Sequence, residues 1–421
     1  MKALKRLFDK ARPNFEPGGK YHAFHSLFDG FDTFLFTPRS TSRSGVHIHD
    51  SMDSKRTMII VVVALLPCLL FGMYNTGYQH WIASGATEFP FWTLMLYGFL
   101  AVLPRIVVSY VVGLGIEFVV AQWRREEIQE GFLVTGILIP MICPIETPLW
   151  MIAVATAFSV IFVKEVFGGT GYNIFNVALV TRAVLFFGYP AKMSGDGVFV
   201  ALNPIMGVGA QVPDGFTGAT PLGQIATSGA TSAAQLSQSI TSLTHEPLST
   251  WDLFLGLVPG SFGETSTLCI LIGAALLLLT GIASWRIVLS VFAGGAVMAL
   301  IANAFATPTY PASYLSVADQ LCLGGFAFAA VFMAPDPVTS CRTNVGKYIY
   351  GFLVGAVAII IRTYNNGYPE GAMLSVLLMN ALAPLIDYCV VEANVRRRLR
   401  RSRAAWPPRQ KISLHHQPKQ S

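Results

Sequence analysis

Read as a pattern of apolar and polar positions, the chain is a series of long apolar runs separated by short polar breaks rich in Gly and Pro. Runs suited to crossing a ~30 Å hydrocarbon core begin near Met58, Phe91, Gly131, Pro148, Asn173, Thr265, Ile287, Ala312, Val345 and Gly371. They predict ten spans. The run at Gly131 is short and ends in the proline-rich MICPIETP, which suits a re-entrant segment. Two of these segments echo one another: GFLVTGILIP (131–140) before a Pro- and acid-containing turn, and GGFAFAAVFMAP (324–335) before Asp336-Pro337. After each come an apolar run, a basic residue, a Gly-rich turn and a further run. Two halves of five spans, an odd number, would lie in the bilayer with opposite orientation, as in inverted-repeat transporters.

Charge orients the runs. The break between the first two, NTGYQHWIASGATEFP, has no Lys or Arg, whereas the next, QWRREEIQE, has Arg124 and Arg125. By the positive-inside rule the first faces outward and the second the cytoplasm. Lys164, Arg286, Arg342 and Lys347 continue the alternation, and the tail RRRLRRSR falls on the cytoplasmic side; Arg362 alone is out of place. The expected organisation is a cytoplasmic extension (1–56), a first five-helix repeat (57–190), an outward loop (191–250), a second repeat (251–391) and a basic cytoplasmic tail (392–421).

Composition supports the membrane reading, because 53% hydrophobic and 12% charged residues leave too few charges to cover a soluble globule of 421 residues. The first ~55 residues mix Lys and Arg with scattered Phe and lack the apolar core of a signal peptide. The six cysteines stand singly, with no C-x-x-C and no Cys/His spacing, so no zinc or iron-sulfur ligand set is expected. They read as small apolar packing residues.

Ionisable residues within spans cost at least ~2.5 kcal/mol on insertion scales, so each needs a partner or a task. Arg105, Glu117, Arg182, Asp319 and Asp387 qualify. Arg105 and Glu117 share one helix at a separation of roughly 18 Å, which excludes a pair between them. Interhelical ion pairs and an ion path through carboxylate oxygens both remain open from the residues alone.

Gly-Ala-Thr occurs three times, ending at Thr87, Thr220 and Thr231. In a polar loop such a tripeptide reads first as a flexible turn. A threonine flanked by Gly and Ala is also accessible to a modifying enzyme, and an acidic residue six positions earlier would serve as a recognition feature. Asp214-Gly215-Phe216-Thr217-Gly218-Ala219-Thr220 resembles the D-x-x-(S/T)-G-A-T flavinylation motif at every position, whereas Thr231 and Thr87 have Ile225 and Trp81 in place of the acid.

With EGFLVTGILIP (130–140), KEVFGGTGYNIFNVALVTRAVLFFGYPAKMSGD (164–196) and DGFTGATPL (214–222), the whole chain resembles the NqrB family, a membrane component of the sodium-translocating NADH:quinone oxidoreductases (Nqr). The related RnfD component of the Rnf complex is shorter at its amino terminus. The resemblance implies an all-α fold of about ten transmembrane helices in two inverted five-helix repeats, similar to urea transporters. It also implies FMN joined to Thr220 by a periplasmic flavin transferase that recognises Asp214, Thr217, Gly218 and Ala219. A non-covalent riboflavin would follow, for which Asn173 and Asn176 are the candidates, with a helix cap and a turn as their structural reading. For quinone the resemblance points to Gly113, Glu130, Gly131 and Phe132, with Phe186 and Phe187 as path-lining aromatics; the family's adjacent glycines are here separated as Gly113-Leu114-Gly115. Glu117 and Asp387 match acids associated with sodium uptake, and Asp319 keeps a structural reading. The implied setting is the bacterial inner membrane, with lipid around the chain, both termini cytoplasmic, and Nqr subunits A, C, D, E and F as partners. Nucleic acid is not implied, and NADH oxidation would belong to another component, since no strand-turn-helix setting for a dinucleotide fingerprint is present. Without the motif, the same spans and buried charges would suit a urea-transporter-like solute channel.

Overall fold

The computed structural model describes residues 54–86, 88, 90–124, 131–194, 197–213, 216, 218–365 and 371–405, with positions 6, 9–15, 28 and 45–46 ahead of them. Thr87, Glu130, Asp214, Thr217, most of the amino-terminal extension and the tail beyond 405 lie outside the described residues.

The regular structure among the described residues is helical, with two isolated β-bridges and no strand among them. In order the helices are α1 (Ser54–Ala83), α2 (Phe91–Arg124), α3 (Phe132–Met141), α4 (Leu149–Ser159), α5 (Val177–Gly188), α6 (Pro190–Met193), α7 (Pro221–Thr227), α8 (Ala233–Ser239), α9 (Thr250–Leu255), α10 (Thr267–Leu279), α11 (Trp285–Ala304), α12 (Val317–Cys322), α13 (Phe326–Phe328), α14 (Asn344–Tyr364) and α15 (Ala372–Ala405). Five of them, α1, α2, α11, α14 and α15, are long and apolar enough to cross a bilayer, and α3, α5 and α10 are shorter apolar helices. On α2 the exposed Trp92 and Trp123 are separated by roughly 46 Å of helix. That is close to a full bilayer with its headgroup regions, where Trp is enriched.

Helices that share a membrane have little hydrophobic reason to meet, so small residues that admit close approach hold them together. A Cβ on Gly98 would overlap the Met73 carbonyl, fixing α2 on α1, and one on Gly355 would overlap that of Val291, fixing α14 on α11. Buried side chains of these helices and of α3 to α5 form one continuous core.

Two segments depart from straight spans. The run at Gly131 forms α3, whose ten residues rise only ~15 Å. The run at Ala312 forms no single span: a 3-10 turn (Pro311–Tyr314), α12, a break at Gly324-Gly325, and α13 continued by a π-helical stretch (Ala329–Met333). Both glycines have left-handed φ, +60° and +68°, a conformation that apolar periodicity does not reveal. A second π-helical stretch, Val160–Glu165, extends α4.

The described residues between 197 and 250 are folded rather than loose. Leu222, Ile225, Leu236 and Ile240 join Ala312, Leu315 and Leu323 in a separate apolar cluster. His80 Nδ1 lies 2.7 Å from the Ala201 carbonyl oxygen, and the Tyr97 hydroxyl donates to that of Asn203 at 2.7 Å, which moors the loop to α1 and α2. A capping box of Ser249 and Asp252 starts α9, and the hydrogen bonds from Ser249 hold the Asp252 carboxyl below the usual carboxylate range.

Candidate functional site

Thr220 is the N-cap of α7: its backbone is extended and its Oγ1 accepts a hydrogen bond from Gly223 N at 3.2 Å. Gln224 locks the turn by donating to the carbonyls of Ala219 and Thr241 and accepting from Thr241 N. Gly218 is buried, and a Cβ there would come within 2.8 Å of Val200. The tripeptide is therefore a fixed turn with a half-buried hydroxyl, not a flexible one. Thr231 differs: it is exposed and its hydroxyl donates to Gln235 Oε1 at 2.7 Å.

Thr220, Pro221 and Leu222 form one wall of a cavity of about 40 Å³, faced by Ser261, Glu264, Gly324 and Gly325. Behind it Arg182 pairs with Glu264 at 3.4 Å and donates to Ser261 Oγ at 3.3 Å, while Ser261 donates to the Ile142 carbonyl. Arg362, out of place by charge alternation, is 2% exposed and donates to the carbonyls of Gln320, Leu323 and Gly324. It satisfies the chain break after α12, where helix carbonyls lack intrahelical partners.

A larger cavity, about 140 Å³, lies at the other end of α10. Thr265 borders the first and Leu277 the second, twelve residues or roughly 18 Å along the helix. The second cavity has a polar side of Lys164, Thr170, Asn173, Asn176 and Asp336 and an apolar side that includes Val134, Leu138, Val331 and Phe332. Thr170 Oγ1 is buried without a hydrogen-bond partner. Asn173 donates to the Phe175 carbonyl at 2.9 Å. Asn176 caps α5, accepting from Ala178 N and Leu179 N, and its Nδ2 faces Asp336 at 3.5 Å. Asp336 in turn accepts from Val338 N and the Thr339 hydroxyl.

Gly131 borders this cavity, and beside it stand Gly113, Phe132 and Glu117. Phe132 is fully buried against Gly113, where a Cβ would overlap its ring. Lys164 Nζ forms a buried ion pair with Glu117 Oε1 and sits 5.9 Å from the Phe132 ring centroid. The structure thus gathers Gly113, Glu117, Gly131, Phe132, Asn173 and Asn176 at one end of the bundle. Phe187 is not with them: it is 70% exposed, eleven residues or roughly 16 Å along α5 from Asn176. Asp387 serves the start of α14, accepting from Arg342 N, Thr343 N and the Thr343 hydroxyl. Asp319 accepts from Ser316, which caps α12.

Sequence reasoning missed Glu264, Thr170 and the role of Lys164. Glu264 stands in GSFGETS, outside any apolar run, and Thr170 in a Gly-rich turn. Lys164 was legible only as a sidedness marker, although a lysine followed by an acid at the end of an apolar run signals a charge that must find a partner.

Long apolar helices, interrupted short ones and buried ion pairs beside two polar cavities define a polytopic all-helical membrane protein. The NQR2, RnfD, RnfE family model matches residues 41–396, and the chain belongs to that family. It is 41% identical to the B subunit of the Na(+)-translocating NADH-quinone reductase of Chromohalobacter salexigens, over 96% of this chain and 98% of the relative. The corresponding B subunits of Azotobacter vinelandii (40%, covering 95% and 99%) and Klebsiella pneumoniae (40%, covering 94% and 98%) are similar to the same degree.

Proposed function

We propose that the chain is the membrane component of a sodium-pumping NADH:quinone oxidoreductase in the bacterial inner membrane, carrying FMN on Thr220, holding riboflavin at the Lys164 cavity and passing electrons to quinone while sodium is exported. The reading includes two inverted five-helix repeats of urea-transporter type, with residues 57–190 and 251–391 as the halves, 191–250 facing the periplasm, and 1–56 and 392–421 in the cytoplasm. Nqr subunits A, C, D, E and F would supply the NADH site and the remaining carriers, and a periplasmic flavin transferase the modification.

The observation that carries the reading is the chemistry of Thr220. Esterification replaces the hydroxyl hydrogen and leaves the oxygen's lone pairs, and Thr220 Oγ1 accepts its hydrogen bond from Gly223. A phosphoester at this atom keeps the helix cap, whereas one at Thr231 would break the bond to Gln235. The adjoining ~40 Å³ holds about one water's share of volume, so α7 presents the group outward and excludes the ring from the core.

At the second cavity, Thr170 Oγ1 offers an unused hydrogen bond and Asn173 and Lys164 further polar contacts opposite an apolar wall, a donor set that suits the polar edge and flat face of a flavin. Its 140 Å³ is below the ~300–1,000 Å³ of pockets for ligands of that size, so wall side chains must shift on binding. The flavins supply the electron transfer; the chain supplies placement, hydrogen bonds and exclusion of water. Gly113 and Phe132 shape the adjoining quinone candidate and Gly131 its edge, Glu130 is a further quinone candidate on sequence alone, and Glu117 and Asp387 provide oxygens for a hard cation.

An RnfD-type electron carrier is the second reading, favoured by the presence of RnfD in the same family; near-complete coverage by B subunits of the sodium-translocating reductase favours the first. Mass spectrometry of the peptide 214–231 from the native complex tests both flavin readings against a solute channel. The expected result is one added FMN on Thr220. An unmodified peptide from a host with its maturation enzyme intact removes the proposal.

A further inference from the structure

Lys164 belongs to two places at once. Its ammonium is paired with Glu117 Oε1, with both side chains 5% exposed, and the same residue forms part of the wall of the 140 Å³ cavity. Neither place is saturated. Glu117 Oε2 is buried without a hydrogen-bond partner, and so is Thr170 Oγ1 in the cavity. The backbone around Lys164 is π-helical, Val160–Glu165, and the facing wall draws Val331 and Phe332 from the other π-helical stretch, Ala329–Met333. π-Helical turns are rare and concentrate at functional sites.

We propose that Lys164 is a tethered cation shared between Glu117 and the cavity: a ligand that draws the ammonium into the cavity leaves the Glu117 carboxylate as a site for a hard monovalent cation. A buried carboxylate needs a counter-charge, so an inorganic cation and the lysine compete for the same oxygens. Carboxylate oxygen is the donor such a cation prefers, and Oε2 is already free of other bonds. On the cavity side Thr170 Oγ1 and the ligand's own acceptors receive the ammonium, while the lysine stem reaches either side from a fixed Cα. Occupancy of the cavity and occupancy of Glu117 are then linked through one side chain, and the linkage is reciprocal. Lys164 acts here as a positioning residue.

This rests on the sodium-pump reading, and the experiment separates the two. The complete complex is purified as parent, Lys164→Gln, Lys164→Arg and Glu117→Gln. Each is titrated with sodium chloride against choline chloride at constant ionic strength, in mildly alkaline buffer that keeps carboxylates ionised. The readout is the rise in melting temperature that a ligand of the folded state produces. With the competing charge removed, Lys164→Gln reaches its half-effect at about tenfold lower sodium; with a planar guanidinium gripping both oxygens, Lys164→Arg needs about tenfold more. Glu117→Gln loses the response. Unchanged titration in Lys164→Arg, alone if Lys164→Gln does not assemble, overturns the inference while leaving the pump reading in place. A parent complex without any sodium response overturns both.

Discussion

At the Thr220 end of α10 the buried charges are matched, with Arg182 on Glu264, Ser261 between them, and Arg362 spread over three carbonyls, around only 40 Å³. At the Leu277 end the space is 140 Å³, Glu117 has one oxygen spare and the Thr170 hydroxyl has no partner. A filled wall with its charges paired suits an attachment point at its rim, although Arg362 Nε lacks an acceptor there. A wall with unused hydrogen bonds costs stability and suits a ligand that supplies them. The first cavity is thus read as an anchor's footing and the second as a binding site.

The comparison breaks most easily at Thr220. Thr220→Ala removes all covalent flavin, seen as loss of fluorescence from the protein's band on a denaturing gel. It costs only about 1 kcal/mol in capping, so the protein still assembles. Next in size is Glu264→Ala, which leaves Arg182 buried without its carboxylate. A loss of about 3–5 kcal/mol is expected, read as a clear drop in melting temperature with unchanged non-covalent flavin affinity in the surviving fold. Thr170→Val acts on the other cavity and in the opposite sense. Removing a hydroxyl that nothing satisfies leaves the ligand-free protein as stable or slightly more so, while affinity for non-covalent flavin falls about tenfold, as one lost hydrogen bond implies; equilibrium dialysis with riboflavin measures it. Smallest of all is Thr231→Ala, an exposed change expected to stay within about 0.5 kcal/mol and to leave gel fluorescence intact. Flavin that survived Thr220→Ala and vanished in Thr231→Ala would reverse the assignment of the two threonines.

Much of the layout was legible along the chain. Helices α1, α2, α4, α10, α11, α14 and α15 start within four residues of the apolar runs that predicted them, because a segment in lipid must satisfy its own backbone and so writes its length into its composition. The run at Ala312 misled: its apolar residues are shared between α12 and α13, and the left-handed Gly324-Gly325 break between them has no hydropathy signature. Among the candidate site residues, Gly131, Asn173 and Asn176 share a cavity, with Gly113, Phe132 and Glu117 beside it. Asn176 proved to use its carbonyl oxygen as a helix cap, and Phe187 faces outward elsewhere.

The sequence alone determined that this is a membrane protein of the family it belongs to, where its long helices start, and which threonine carries the full motif, since each depends on residues near one another in the chain. Only the tertiary structure decided that Lys164 meets Glu117 across 47 positions and Arg182 meets Glu264 across 82. Buried charges choose partners by proximity in space, where the low dielectric makes a missing partner costly, and neither the spacing nor the hydropathy of the chain encodes that choice.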